Sequence, residues 1–419
     1  SRKAYKSNES FTKTYGDLYT GYIGRSQKVL DLFHGPENVA KWNTLQKEWI
    51  GAKDIVNIAI LSSSMPFILR YPTTPGVKYK KVLGNFRDSL LKYFPVDLLL
   101  LDSQFTLDPE KLKDYDLLII PEEMGIATSD AMIGTLKKYL ANGGKLLAMG
   151  SRVSSANKDL TSEKDYTEDI FGIRISDSKV LPGYTRCFSS TMPVPDEKIW
   201  LAPNQITLCG AEAIVKNKFM NNPLMTKKDN AYYIASGYFE GSDEFFANII
   251  MTLANSPLTL IQDSGKNDFR VSSAILKNNS LCISLPAEKP SSAIMKIDTG
   301  KAGITAEKFE VKNIVTGKLV AEADSHALMK GIRISTEFPS EPYVLSIGEK
   351  KKLAKFSGIY PDNKVFADMG NIDAIENPEV AISVPDKPGI KVGIYTNGHG
   401  AQEIYDALNK YEDFNCFRS

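Results

Sequence analysis

Cysteine and histidine are scarce in this chain of 419 residues, with four of the former (Cys187, Cys209, Cys282, Cys416) and three of the latter (His34, His326, His399). No two cysteines stand in a C-x-x-C spacing, so a Cys/His zinc site is not expected, and neither metal nor cofactor is implied. The cysteines lie in apolar, strand-like surroundings, which predicts buried free thiols rather than a disulfide framework and leaves the redox compartment open. A charge excess is missing too: 51 Lys and Arg face 50 Asp and Glu. No net field draws the chain to nucleic acid or an anionic membrane, and neither is an expected partner. Apolar runs such as Leu98–Leu101 and Leu117–Ile120 are far shorter than the roughly 20 residues of a membrane span. A soluble protein is expected, with export or a bacterial periplasm compatible and the compartment open. The sequence opens at Ser1 without an initiator Met or a signal-peptide pattern of its own and stops at Ser419 as a further unit opens, so a piece of a larger protein is expected.

What is present is ordinary for a globular protein: 42% hydrophobic and 24% charged residues, with 29 Gly and 21 Pro. The length suggests roughly three domains. Residues 1–50 read as a helical connecting segment in which Trp42, Leu45 and Trp49 are spaced to share one helical face. Such a stripe docks on the following domain or on a preceding one.

From residue 51 to 258 strands and helices alternate. Val56–Leu61, Val96–Leu101, Asp116–Ile120 and Lys145–Met149 read as buried strands, and Lys80–Phe94 and Ser129–Leu140 as helices. Ser129 caps the second helix and Asn142-Gly143-Gly144 stops it. Continuous apolar strands between helices imply a parallel sheet covered on both faces, a flavodoxin-like, doubly wound α/β fold. After residue 152 the alternation loosens, to close with Ala231–Gly237 and a helix over Asp243–Leu253. Residues 259–348 carry short strands every 8 to 12 residues with no helical stretch between, which predicts a small antiparallel β-sandwich. Residues 349–387 read as a linker, and 388–419 as the truncated start of a second α/β domain.

The run Tyr115–Pro121, the helix Ser129–Gly144 and the strand Lys145–Gly150 together resemble a known pattern. It is that of the class I glutamine amidotransferase-like domain that serves for trimerisation in β-galactosidases of glycoside hydrolase family 42 and related hypothetical glycosyl hydrolases. Asp169-Ile170-Phe171-Gly172-Ile173 is similar to the Leu-Phe-Gly-Val signature after that sheet, and Tyr232–Tyr238 to its last strand. Residues 259–348 are similar to the C-terminal β-domain of such enzymes. The resemblance spans about 51–348 and implies that the catalytic carboxylates belong to an N-terminal barrel outside this chain, so no catalytic residue is carried over. Residues 391–417 resemble the opening of a further amidotransferase-like domain, akin to one that precedes some biotin protein ligases, which departs from family 42.

An active amidotransferase needs a cysteine on the sharp turn after the strand Lys145–Met149, where helix N–H groups can stabilise an oxyanion. Here that turn reads Met149-Gly150-Ser151-Arg152. Ser151 has neither a G-x-S-x-G frame nor a local histidine, so a loop serine is the default reading. Ligands of open parallel sheets bind at the carboxyl ends of the strands, where the sequence puts Ser62, Ser63, Ser64, Asp102, Glu122, Glu123, Ser151 and Arg152. Glu122 and Glu123 are adjacent and on an extended strand end point to opposite sides, so they make no ready acid/base pair. The rim reads either as solvated charges with one carboxylate on Arg152, or as a polar sugar site. Gly398-His399-Gly400 before a helix reads as a tight turn or an anion-binding turn built on Gly398 and Gly400. Tyr184, Trp200 and Tyr238 either pack or stack on sugar rings.

The expected function is a non-catalytic assembly or accessory portion of a glycoside hydrolase-like protein. Its partner would be further copies of itself or the missing barrel, and carbohydrate a compatible ligand. The rival expectations are an independent hydrolase or transferase at the strand-end rim, and a carbohydrate-binding module.

Overall fold

The computed structural model describes residues 52–350 and 353, apart from 63–76, 101–108, 123–128, 157–162, 177–182, 196–197, 219–221, 263–267, 288, 315–316 and 337–342. The tryptophan stripe at 42–49, Ser63, Ser64, Asp102, Glu123, the Gly398-His399-Gly400 turn, Cys416 and the second α/β module lie outside the described residues. What is described falls into two compact units, one from Ile55 to Leu260, the other made of the residues up to Asp54 and those from Ile261 onward.

The first unit is built on one mixed sheet. Its elements include β1 (Ile58–Ser62), α1 (Val77–Leu91), β2 (Asp97–Leu100), β3 (Leu117–Ile120), α2 (Asp130–Ala141), β4 (Lys145–Met149) and α3 (Thr167–Phe171). They continue with β5 (Gly183–Thr185), β6 (Cys187–Phe188), β7 (Ile199–Leu201), β8 (Glu212–Asn217), β9 (Pro223–Lys228), β10 (Ala231–Ile234) and α4 (Asp243–Ala254). The sheet order is β6-β8-β9-β10-β4-β3-β1-β2. From β2 to β10 all neighbours are parallel, and from β10 to β6 all are antiparallel.

The continuous apolar runs are explained by burial on both faces. Successive residues of β1 go to opposite sides: Ile58 and Ile60 pack with Phe86, Leu90, Phe246 and Ile250 of α1 and α4. Ala59 and Leu61 pack with Met132, Leu136, Ile170 and Phe171 of α2 and α3. Such alternation is forced by the two-residue period of a strand. On the first side Phe86, Tyr238, Phe245 and Phe246 make a cluster of ring contacts with centroids 5.2–6.0 Å apart; each such pair adds about 0.5–1.5 kcal/mol beyond burial. Ser129 caps α2, its Oγ accepting from the Met132 N–H at 3.2 Å, and Asn142 ends it.

In the second unit Lys53–Asp54 pairs antiparallel with Ser273–Lys277, placing Lys53 opposite Leu276 and Asp54 opposite Ile275. The sheet continues through Ser280–Ser284, Val344–Gly348, Phe309–Asn313 and Leu319–Ala323, antiparallel throughout. Ser292–Ile297 and Ile332–Ser335 form a further antiparallel pair. Two short helices, Thr299–Ala302 and Ser325–Lys330, stand where none is expected from the sequence. Each follows an aspartate, Asp298 or Asp324, whose carboxylate accepts a backbone N–H at 3.1 or 2.7 Å.

Candidate functional site

The carboxyl ends of β1, β3, β4 and β10 converge on one rim, because parallel strands bring their ends to one edge. The bend after β4 is the position at which a nucleophile would have to stand. Gly150 has φ +65° there, and the Ser151 N–H donates to the Met149 carbonyl at 2.7 Å, closing a γ-turn centred on the glycine. The residue in the left-handed conformation therefore carries no side chain. The chain then runs into a β-hairpin, Ser154–Ala156 with Glu163–Asp165, where an amidotransferase-type elbow would need a helix N-terminus.

Tight packing surrounds the bend. A Cβ at Gly150 would lie 2.6 Å from the Gly237 backbone nitrogen, and one at Gly237 would collide with the Glu122 carboxylate. The two glycines thus let the ends of β4 and β10 approach, and Gly237 leaves room for Glu122. Asn204 ties the same ends together: its backbone N–H donates to the Ala235 carbonyl at 2.8 Å and its side-chain amide to the Gly150 carbonyl.

Of the residues expected at the rim, the structure brings Glu122, Ser151 and Arg152 together. The Ser151 hydroxyl donates to the Glu122 carbonyl at 2.5 Å. Arg152 has its Nε 3.8 Å from an Asp165 carboxylate oxygen and donates from Nη2 to the Ile175 carbonyl at 3.3 Å. Ser62 is buried at the end of β1.

Sequence reading missed Asn204, Gly237, Asp165 and Tyr233. The Tyr233 hydroxyl is buried with no hydrogen-bond partner. Burial pushes its pKa up, the charges of Glu122 and Asp165 push the same way, and Asn204 and Arg152 oppose them. The φ sign at Gly150 and the long reach of Asn204 leave no local trace in sequence.

A polar network flanks the rim on the α2–α3 side. Asp130 accepts from the Ser155 hydroxyl at 2.5 Å and the Tyr166 hydroxyl at 2.7 Å, and these bonds hold its carboxyl below the usual range, with Lys164 helping. Asp169 is lowered by its 2.5 Å bond from Lys137, and Glu168 by the two-pronged Arg174. Among the described residues no cluster of three or more His, Cys, Asp and Glu could hold a metal ion, and no helix is long and apolar enough to cross a membrane. Cys187 and Cys282 are buried and Cys209 is partly buried, and none of the three is in a disulfide; burial pushes the Cys187 thiol up to about 12.

No protein-family profile and no curated protein matches the chain. Solved structures do. The β-galactosidase from Bacillus circulans sp. alkalophilus superposes with a TM-score of 0.52 at 14% identity, over 75% of this chain and 44% of that one. Gan42B, a GH42 β-galactosidase from G. stearothermophilus, gives 0.50 at 18%, over 74% and 43%. The α-L-fucosidase isoenzyme 2 from Paenibacillus thiaminolyticus gives 0.50 at 14%, over 77% and 52%. What is shared is the fold. The chain spans about half or less of the length of these enzymes, and its own architecture is mixed α/β.

Proposed function

We propose that this chain is a non-catalytic assembly or accessory portion of a glycoside hydrolase-like, carbohydrate-processing protein. In this reading Ile55–Leu260 is an amidotransferase-like domain of flavodoxin-like, doubly wound type, followed by a β-sandwich. The parallel order β2-β1-β3-β4-β10, which matches the doubly wound order 2-1-3-4-5, supports the first assignment. The two antiparallel pairings of the second unit support the other.

The observation that carries the reading is the bend after β4. Acyl-transfer chemistry needs a nucleophile at the strained residue and N–H donors aimed at the developing oxyanion. The strained residue here is glycine, the following serine is bonded to the Glu122 backbone, and a hairpin takes the place of the helix. A fold kept without that chemistry is available for joining subunits, or for docking on a catalytic barrel and shaping its mouth. Light scattering after size exclusion of the whole chain tests this: a discrete oligomer, or a complex with a separately produced family 42-type barrel, is expected. A strict monomer with no affinity for the barrel would refute it.

One observation favours a second reading, an independent hydrolase or transferase acting at the rim. It is the buried, unbonded Tyr233 hydroxyl in the field of Glu122, Asp165 and Arg152. Turnover of aryl glycosides or esters by the purified chain, lost in Tyr233→Phe, would establish it; absence of turnover would set it aside.

A further inference from the structure

The strands β5, β6, β7 and β8 turn one face inward and one outward. Cys187, Ile199, Leu201 and Val215 enter the core on the inner face. Along the outer face of the continuous stretch 184–188 every second residue is exposed: Tyr184, Arg186 and Phe188. Tyr184 is 71% exposed, Phe188 58% and Trp200 38%, which is unusual for rings of this size.

The register places the other outward side chains beside them. Trp200 of β7 is directly opposite Tyr184, and the two rings meet edge to face with centroids 4.9 Å apart at 78°. Lys198 is exposed two residues before Trp200 on the same face. On the far side Lys216 of β8 is opposite Phe188, and the Lys218 N–H bonds the Arg186 carbonyl at 2.8 Å. Among the described residues none of the cations Arg186, Lys198, Lys216 and Lys218 forms a salt bridge. These four described cations stand together in a chain whose charges otherwise nearly cancel.

Two kinds of side chain thus alternate over a strip about 13 Å long, the rise of four strand residues. We propose that this face binds an acidic polysaccharide, with sugar rings against Tyr184 and Trp200 and sulfate or carboxylate groups on Arg186, Lys198, Lys216 and Lys218. The inference rests on the carbohydrate reading above and goes further by naming the site and the charge of the ligand. The chemistry selects this occupant. A second copy placed symmetrically on the same face would set four cations against four, which is repulsive. Perpendicular rings form a corner that accepts the C–H face and edge of a saturated ring, whereas single-stranded nucleic acid needs ring faces on which successive bases stack. A neutral glycan would use the rings and leave the cations without a role.

Affinity electrophoresis of the whole chain tests the proposal, in native gels cast with κ-carrageenan, polygalacturonate or neutral galactan, and with single-stranded DNA as a further polyanion. Retardation by at least one of the two acidic glycans at low salt is expected, weakening at high salt. Trp200→Ala, and separately Arg186→Gln with Lys198→Gln, should each weaken it about tenfold, while Trp200→Phe stays within about twofold. Lys308→Gln, an exposed cation of the other unit, should change nothing. All these positions are solvent-facing, and unchanged unfolding midpoints would certify the fold. Three results would each overturn the proposal: no retardation by any acidic glycan, retardation by neutral galactan alone, or DNA binding of equal strength indifferent to Trp200→Ala. Retardation by neutral galactan alone would leave the carbohydrate-processing role standing, and the oligomer measurement tests that role independently.

Discussion

Replacing Gly150 by alanine asks whether the bend after β4 is as constrained as it looks. A left-handed backbone at a residue with a Cβ costs about 1–2 kcal/mol. The added methyl would lie 2.6 Å from the Gly237 nitrogen and 3.0 Å from its Cα. Those are backbone atoms just past the end of the β4–β10 pairing, so the ends of two strands must part, an overpacking cost of roughly 1–3 kcal/mol. Together the loss is about 2–5 kcal/mol, which in a unit of this size lowers Tm by roughly 4–20 °C. Calorimetry of the whole chain would follow the transition. Two other glycines separate the contributions. Gly143 has φ +90° but open space around its Cβ position, so Gly143→Ala should cost only the backbone share, about 1–2 kcal/mol. Gly134 lies within α2 with nothing within 4 Å, and Gly134→Ala should gain up to about 1 kcal/mol. A Gly150→Ala loss no larger than that of Gly143→Ala would mean that the strand ends are not locked together, and the argument for a closed bend would fail.

Removing the orphaned hydroxyl in Tyr233→Phe should raise stability by about 1 kcal/mol, since a buried unpaired O–H is worse than none; a clear loss in urea unfolding would mean the hydroxyl has a partner. In a Cys416→Ser background, a thiol reagent at mild alkaline pH should label Cys209 well before Cys187 and Cys282, because the latter two are buried and the Cys187 thiolate is disfavoured; equal labelling rates under native conditions would contradict the burial. Asp130, Glu168 and Asp169 have carboxyls lowered by their partners. Their stabilisation is therefore full above the unfolded carboxylate range and is lost as pH falls through their lowered folded values. The urea midpoint should drop between neutral and strongly acid pH, and the drop should shrink in Asp130→Asn with Asp169→Asn; an unchanged pH slope in that variant would refute the assignment.

Strands buried on both faces are easy to read because the hydrophobic run and the strand coincide. Lys145–Met149 is both the expected and the observed strand, and the Ser129 cap was legible because its bond is local. From residue 173 to 217 the strands are two to six residues long with mixed exposure, so no period builds up. Helices of four and six residues such as Thr299–Ala302 and Ser325–Lys330 are too short for the 3.6-residue period to emerge. At the site, sequence placed Glu122, Ser151 and Arg152 on one rim because strand ends in a parallel sheet share an edge. It could not place Asn204, 54 residues from Gly150, because nothing local encodes a contact that distant.

The pairing of Asp54 with Ile275 brackets the whole stretch from Ile55 to Leu260 between two strands of one sheet. As the chain leaves the ribosome, Lys53–Asp54 must wait for a neighbour about 220 residues behind it, and everything in between can settle first. Loop closure of that length is slow, and it comes late. One edge strand of the second sheet thus stays untied until residues 55–260 have been made, and a truncation that ends before Ser273 removes the strand it pairs with.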